Sequence, residues 1–88
     1  MLELKTKKKF EKDLKLVFKR GKSKIKIVEL IDLLINEKPL PLKCKPHKLS
    51  GDWDGLWECH IEPDWLLVYQ IEGNELVLVR TGSHSDLF

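Results

Sequence analysis

Cysteine is scarce in this chain, with two residues, Cys44 and Cys59, in 88. That excludes the disulfide frameworks that stabilise small secreted domains, and in a reducing compartment both are expected as free thiols. Long apolar runs are missing too. No stretch approaches the roughly 18 to 20 apolar residues needed to span a bilayer, and the N-terminal MLELKTKKKFEKDLK lacks an apolar signal region, so a cytoplasmic location away from membranes is expected. There is no Gly-rich phosphate loop and no Ser, His and Asp order that marks a hydrolase. Cys44-x-x-His47 and Cys59-His60 look like metal-ligand pairs. Adjacent strand residues point to opposite faces, however, and the spacing matches no common structural zinc site, so no metal is expected.

What is present is ordinary in amount and unusual in arrangement. Apolar content of 42% with 34% charged residues fits one globular domain over residues 1–88, too short for a second core. Residues 1–26 carry eleven Lys or Arg against three acids, or +8, and the remainder five against eleven, or −6. A basic surface of this kind attracts polyanions through counterion release, which points to nucleic acid or an acidic protein partner.

Leu2 and Leu4 alternate with charge as in a short strand, and Thr6 is placed to cap a first helix. Phe10, Leu14, Val17 and Phe18 form one stripe of that amphipathic helix, which ends at Gly21, with Lys8, Lys12 and Lys15 on its other sides. Ser23 is placed to cap a second helix with Ile27, Val28, Ile31, Leu34 and Ile35 as its stripe, and the short join favours a helical hairpin. Residues 36–55 read as a long irregular loop held down by Leu40, Leu42 and Trp53 and carrying Lys43, Lys45, His47 and Lys48. Three strands with short turns come next, at Leu56–Glu62, Trp65–Ile71 and Leu76–Thr81. The order strand, helix, helix, strand, strand, strand predicts an α+β fold, a small, curled, antiparallel-rich sheet with the helical hairpin on one face.

The residues able to do chemistry are His47, His60, His84 and Asp64, with Arg80 as a fixed charge. A loop, a strand end, a turn and a C-terminal segment can converge at one end of a curled sheet. Cleavage of RNA by its own 2′-OH needs a base, an acid and a cation, which imidazole, carboxylate and guanidinium supply without a cofactor. An unpaired guanidinium in an apolar strand should face an open surface or pair with Asp64, Glu58 or Asp86. Phe88 reads either as an exposed stacking ring or as a frayed end.

The segments H-x-L-x-G from His47, W-E-C-H-I-x-P-D-W-L-L-V-Y from Trp57 and R-T-G-S-H-S-x-L-F from Arg80 together resemble the YafQ branch of the RelE-type bacterial toxins, and the likeness covers the whole chain. The resemblance implies a small sheet with two N-terminal helices and a toxin of a type II toxin-antitoxin system. It also implies cleavage of messenger RNA in the ribosomal A site and inhibition by a cognate antitoxin. By motif position it implies a site of His47, His60, Asp64, His84 and Phe88, with Arg80 on phosphate. Lys8, Lys12 and Lys15 would contact ribosomal RNA, with Lys43, Lys45 and Lys48 as further RNA contacts. The alternative is a binding module of the same fold, which would not need the imidazole and carboxylate set.

Overall fold

A computed structural model describes residues 1–88. Strand β1 (Glu3–Thr6) leads into helices α1 (Lys8–Lys19) and α2 (Lys24–Ile35); β2 (His47–Lys48), β3 (Trp57–Glu62), β4 (Trp65–Glu72), β5 (Glu75–Gly82) and the short α3 (His84–Leu87) complete the chain. The five strands form one sheet in the order β1-β5-β4-β3-β2. β1 runs parallel to β5 and every other neighbour is antiparallel, so the α+β, antiparallel-rich expectation holds.

The α1 stripe is as expected, with Phe10 and Val17 buried and Leu14 and Phe18 packed beside them. Thr6 is not the cap. It ends β1, and its hydroxyl donates to Glu11 Oε2 at 2.8 Å, while Lys7 takes the N-cap position without a side-chain bond. Gly21 stops the helix at φ 92°, a left-handed position where glycine has no Cβ penalty. There Gly21 N–H bonds the Phe18 carbonyl and Lys22 N–H the Val17 carbonyl, so the last turn keeps partners for its carbonyls. Ser23 is the N-cap of α2, but its hydroxyl makes no capping bond. The α2 stripe runs through Ile27, Leu30 and Leu34, and Val28 faces solvent. Leu30 lies three residues after Ile27 and four before Leu34, which centres the buried face on it.

Both helices cover one face of the sheet, against Cys59, Trp65, Leu67, Tyr69, Leu76 and Leu78. The opposite face is covered as well. There Leu66 and Val68 pack under Leu87 of α3, with Leu49, Trp53, Leu56 and Val79 around them. β4 is therefore buried on both sides, which is why its run is apolar without alternation. Each such side chain contributes roughly 1.5 to 3 kcal/mol by leaving water.

Residues 36–55 are more ordered than expected. Two 3-10 turns, Leu42–Cys44 and Gly51–Trp53, flank β2, which adds a fifth strand at the sheet edge. Leu42 does not hold this segment down, since it is 95% exposed. Buried Cys44 and packed Leu40 do so instead. The C-terminal segment is not frayed either. Ser83 Oγ accepts the Asp86 N–H, Asp86 returns a bond to the Ser83 N–H, and Arg20 of α1 donates to both Asp86 oxygens at 2.6 and 3.2 Å. A Cβ at Gly82 would lie 2.9 Å from that of Asp86, so this approach requires glycine.

Candidate active site

The site residues gather on the sheet face away from α1 and α2. Pairing of β2 with β3 sets His47 opposite Glu58, and the strand period of two puts Glu58 and His60 on the same side. A register shift after His60 then turns Glu62 the other way, toward the helices, where it accepts from Lys22 and Lys26 at 2.8 Å each. These two ammonium groups, Lys22 first, hold the Glu62 carboxyl below its ordinary range.

Glu58 is only 5% exposed, and one of its oxygens lies 3.5 Å from His47 Nε2 and 3.8 Å from His60 Nε2. The other nitrogen of His47 faces the Lys45 carbonyl at 3.0 Å, and that of His60 the Pro63 carbonyl at 3.3 Å. Sequence reasoning offers Glu58 only as a possible partner of Arg80. Its two-residue offset from His60 is the available signal, but its place beside His47 depends on β2, a strand too short to show a period.

Asp64 and His84 form the second unit. One Asp64 oxygen accepts the His84 backbone N–H at 2.9 Å and faces the ring Nδ1 at 2.6 Å. Those bonds, the backbone one foremost, hold the Asp64 carboxyl below its ordinary value. With its proton on Nδ1, His84 donates to Asp64 and keeps Nε2 free. The rings of His60 and His84 lie 5.9 Å apart, which joins the two units. At the far end of α3, Phe88 is 56% exposed and packs against Trp53 at 5.0 Å between ring centres.

Arg80 takes none of its expected partners. Its guanidinium binds both oxygens of Asp13 at 2.6 and 3.2 Å, and one of these also accepts the Thr81 N–H at 3.2 Å. β1 pairs with β5 only as far as Leu78, and α1 meets the part of β5 that β1 leaves open. Asp86, another expected partner, is taken by Arg20.

The lysines divide. Lys8, Lys12 and Lys15 are exposed along α1. Lys43 and Lys45 flank the buried Cys44 and, with Lys26 and His60, line a groove of about 430 Å³. Lys48 alternates away from His47, and its ammonium lies 5.6 Å over the Trp57 ring, which packs with the helix-side core. Both thiols are buried, and burial pushes Cys59 up to about 12. No group of three or more His, Cys, Asp or Glu side chains is placed to hold a metal ion.

Comparison with known proteins bears on the family and the fold. The profile of the family described as a bacterial toxin of type II toxin-antitoxin system, YafQ, matches residues 2–88. The mRNA interferase toxin YafQ of Escherichia coli K12 is 45% identical over 80 residues, which covers 90% of this chain and 87% of that protein. A copper-bound mutant toxin from Helicobacter pylori superposes with a TM-score of 0.95 at 42% identity over all of both chains. The toxin in an E. coli DinJ-YafQ complex does so at 0.92 and 40% identity, over 100% of this chain and 99% of that one.

Proposed function

The chain belongs to the YafQ family of bacterial type II toxins, and from that premise we propose that it is an mRNA interferase acting on the ribosome by metal-independent acid-base chemistry. The observation that carries this is the pair of imidazoles, His60 and His84, 5.9 Å apart, each beside a carboxylate. General acid-base transfer works best near the ambient pH, which imidazole provides. Asp64, held below the carboxylate range, is a poor base and a good orienter of His84. Glu58, 3.5 Å from His47 Nε2 and 3.8 Å from His60 Nε2, offsets the positive charge of either ring when it carries the second proton.

In the proposed reaction one imidazole removes the 2′-OH proton. The 2′-oxygen bonds to phosphorus, the bond to the 5′-oxygen breaks, and the second imidazole protonates that oxygen. The products are a 2′,3′-cyclic phosphate and a 5′-hydroxyl. Arg80 offsets phosphate charge once RNA draws it from Asp13, and Phe88 beside Trp53 stacks on a base. Lys8, Lys12 and Lys15 contact ribosomal RNA through counterion release. A relative of the same fold assembles with the antitoxin DinJ, and by analogy a cognate antitoxin restrains this chain. No helix is long and apolar enough to cross a membrane, in keeping with action in the cytoplasm.

Mapping transcript ends in a translating extract tests the proposal. New 5′-hydroxyl ends within codons of translated message, and none in untranslated transcript, are expected. The absence of new ends, or 5′-phosphate ends, overturns it.

A further inference from the structure

We propose that the groove beside His60 is a subsite for the backbone phosphate of the RNA strand next to the bond that is cut. The inference rests on the ribonuclease reading and adds to it where the strand runs. Lys26 of α2, Lys43 of the 3-10 turn and Lys45 just after it, with His60, Ile61, Glu62 and Pro63, enclose a concavity of about 430 Å³. Ile61 and Pro63 are its apolar wall residues and the other five are charged or polar, which suits a hydrated anion better than an apolar ligand.

Three features make this more than a set of solvated lysines. Cys44 is buried, so the turn is pinned and its two flanking lysines stay outside. Lys45 comes next with φ at 44°, a left-handed backbone that is uncommon for a non-glycine residue and is concentrated at functional positions. Glu62 holds Lys26 at 2.8 Å and Lys22 at the same distance, so one carboxylate fixes two ammonium groups and leaves an excess positive charge at the rim. Lys26, Lys43 and Lys45 outnumber Glu62 as groove charges.

The position selects the ligand class. His60 belongs both to the groove and to the imidazole pair, and the contacts run in order from the groove to His60, to His84 and along α3 to Phe88. A strand laid over the two imidazoles with one base against Phe88 leaves the site over Lys45 and Lys43. An acidic polypeptide would satisfy the charge but brings neither a base for Phe88 nor a 2′-hydroxyl for the two imidazoles.

The test uses the isotopically labelled full chain and a 2′-O-methyl RNA hexamer, which binds without being cut, monitored by amide NMR shifts. The hexamer is expected to move the amides of Lys43, Cys44, Lys45 and Glu62 together with those of His84 and Phe88. In Lys43→Ala/Lys45→Ala its affinity falls about tenfold, and the slope of log affinity against log salt drops by about 0.7, the value for one phosphate contact on a single strand. Replacing that flanking phosphate by a methylphosphonate weakens the wild type to a similar degree and the variant no further. If the hexamer moves His84 and Phe88 but not the groove, the subsite falls and the ribonuclease reading stands. Should neither region move, the subsite falls, and the ribonuclease reading is decided by the mapping of transcript ends on the ribosome. A hexaglutamate peptide that takes the groove as tightly as the hexamer overturns the assignment to nucleic acid.

Discussion

Leu87→Ala separates the C-terminal segment from the rest of the fold. Leu87 is 8% exposed and packs onto Leu66 and Val68, both fully buried. Leu-to-Ala changes in cores cost roughly 2 to 5 kcal/mol, and a residue at the rim of a three-residue cluster belongs at the low end, about 2 kcal/mol. α3 has only four residues, too few to stand as an isolated helix, and its remaining ties to Asp64 and Arg20 are exposed ion pairs that hold weakly. At about 1.4 kcal/mol per factor of ten, the loss raises the opening constant of the segment about 30-fold. Amide hydrogen exchange reads this directly. The N–H groups of Leu87 and Phe88, bonded to the Ser83 and His84 carbonyls, should exchange about 30-fold faster while central β4 amides change far less. Single-turnover cleavage should fall severalfold, and Leu87→Met, which refills the volume, should restore most of it. Equal acceleration across β4 and α3 would show that the segment is no separate unit. Wild-type cleavage despite faster exchange at residues 84–88 would remove α3 from the site.

Thr81→Val breaks a buried relay in which the Thr81 hydroxyl accepts from Trp65 Nε1 at 2.9 Å and donates to the Leu66 carbonyl at 2.7 Å. Leaving these groups unpaired should cost about 1 to 3 kcal/mol in denaturant titration, whereas Thr81→Ser should retain most of it; a change within experimental error would contradict the relay. Acid should loosen the tail first. Asp64 is depressed by the His84 N–H, Asp86 by Arg20 and Glu62 by Lys22, so the stability each contributes is full above the unfolded carboxyl value and is lost as pH falls through the folded one. Below about pH 4, the unfolded carboxyl range, amide shifts at residues 83–88 should move before those of β4, and simultaneous movement would refute the linkage. Neutralising Asp86 by Asp86→Asn should remove part of that early movement, since Arg20 then loses its charged partner.

The elements with a strong local period were legible in the sequence. Phe10 and Val17 lie on a helical stripe, Trp57, Cys59 and Ile61 alternate along β3, and Gly73 with φ 58° marks the turn into β5. His47, His60, Asp64 and His84 stand out by type and motif, and the structure brings them onto one face. What the sequence concealed depends on partners distant in the chain. β2 has two residues and is defined only by β3, so Glu58 could not be set beside His47 in advance. Arg80 meets Asp13 across 67 residues, and Arg20 meets Asp86 across 66; no local spacing encodes either pair. Cys44, not Leu42, takes the inward side of the 3-10 turn, and hydrophobicity alone cannot tell which side that is.

The central claim is that His60 and His84 exchange the protons in RNA cleavage. Single-turnover cleavage of a programmed ribosome by the wild type, His60→Ala and His84→Ala, each verified as folded, tests it most directly. Each substitution should lower the rate about 10²- to 10⁴-fold, the usual share of a general acid or base. Wild-type rates for both variants would contradict the account.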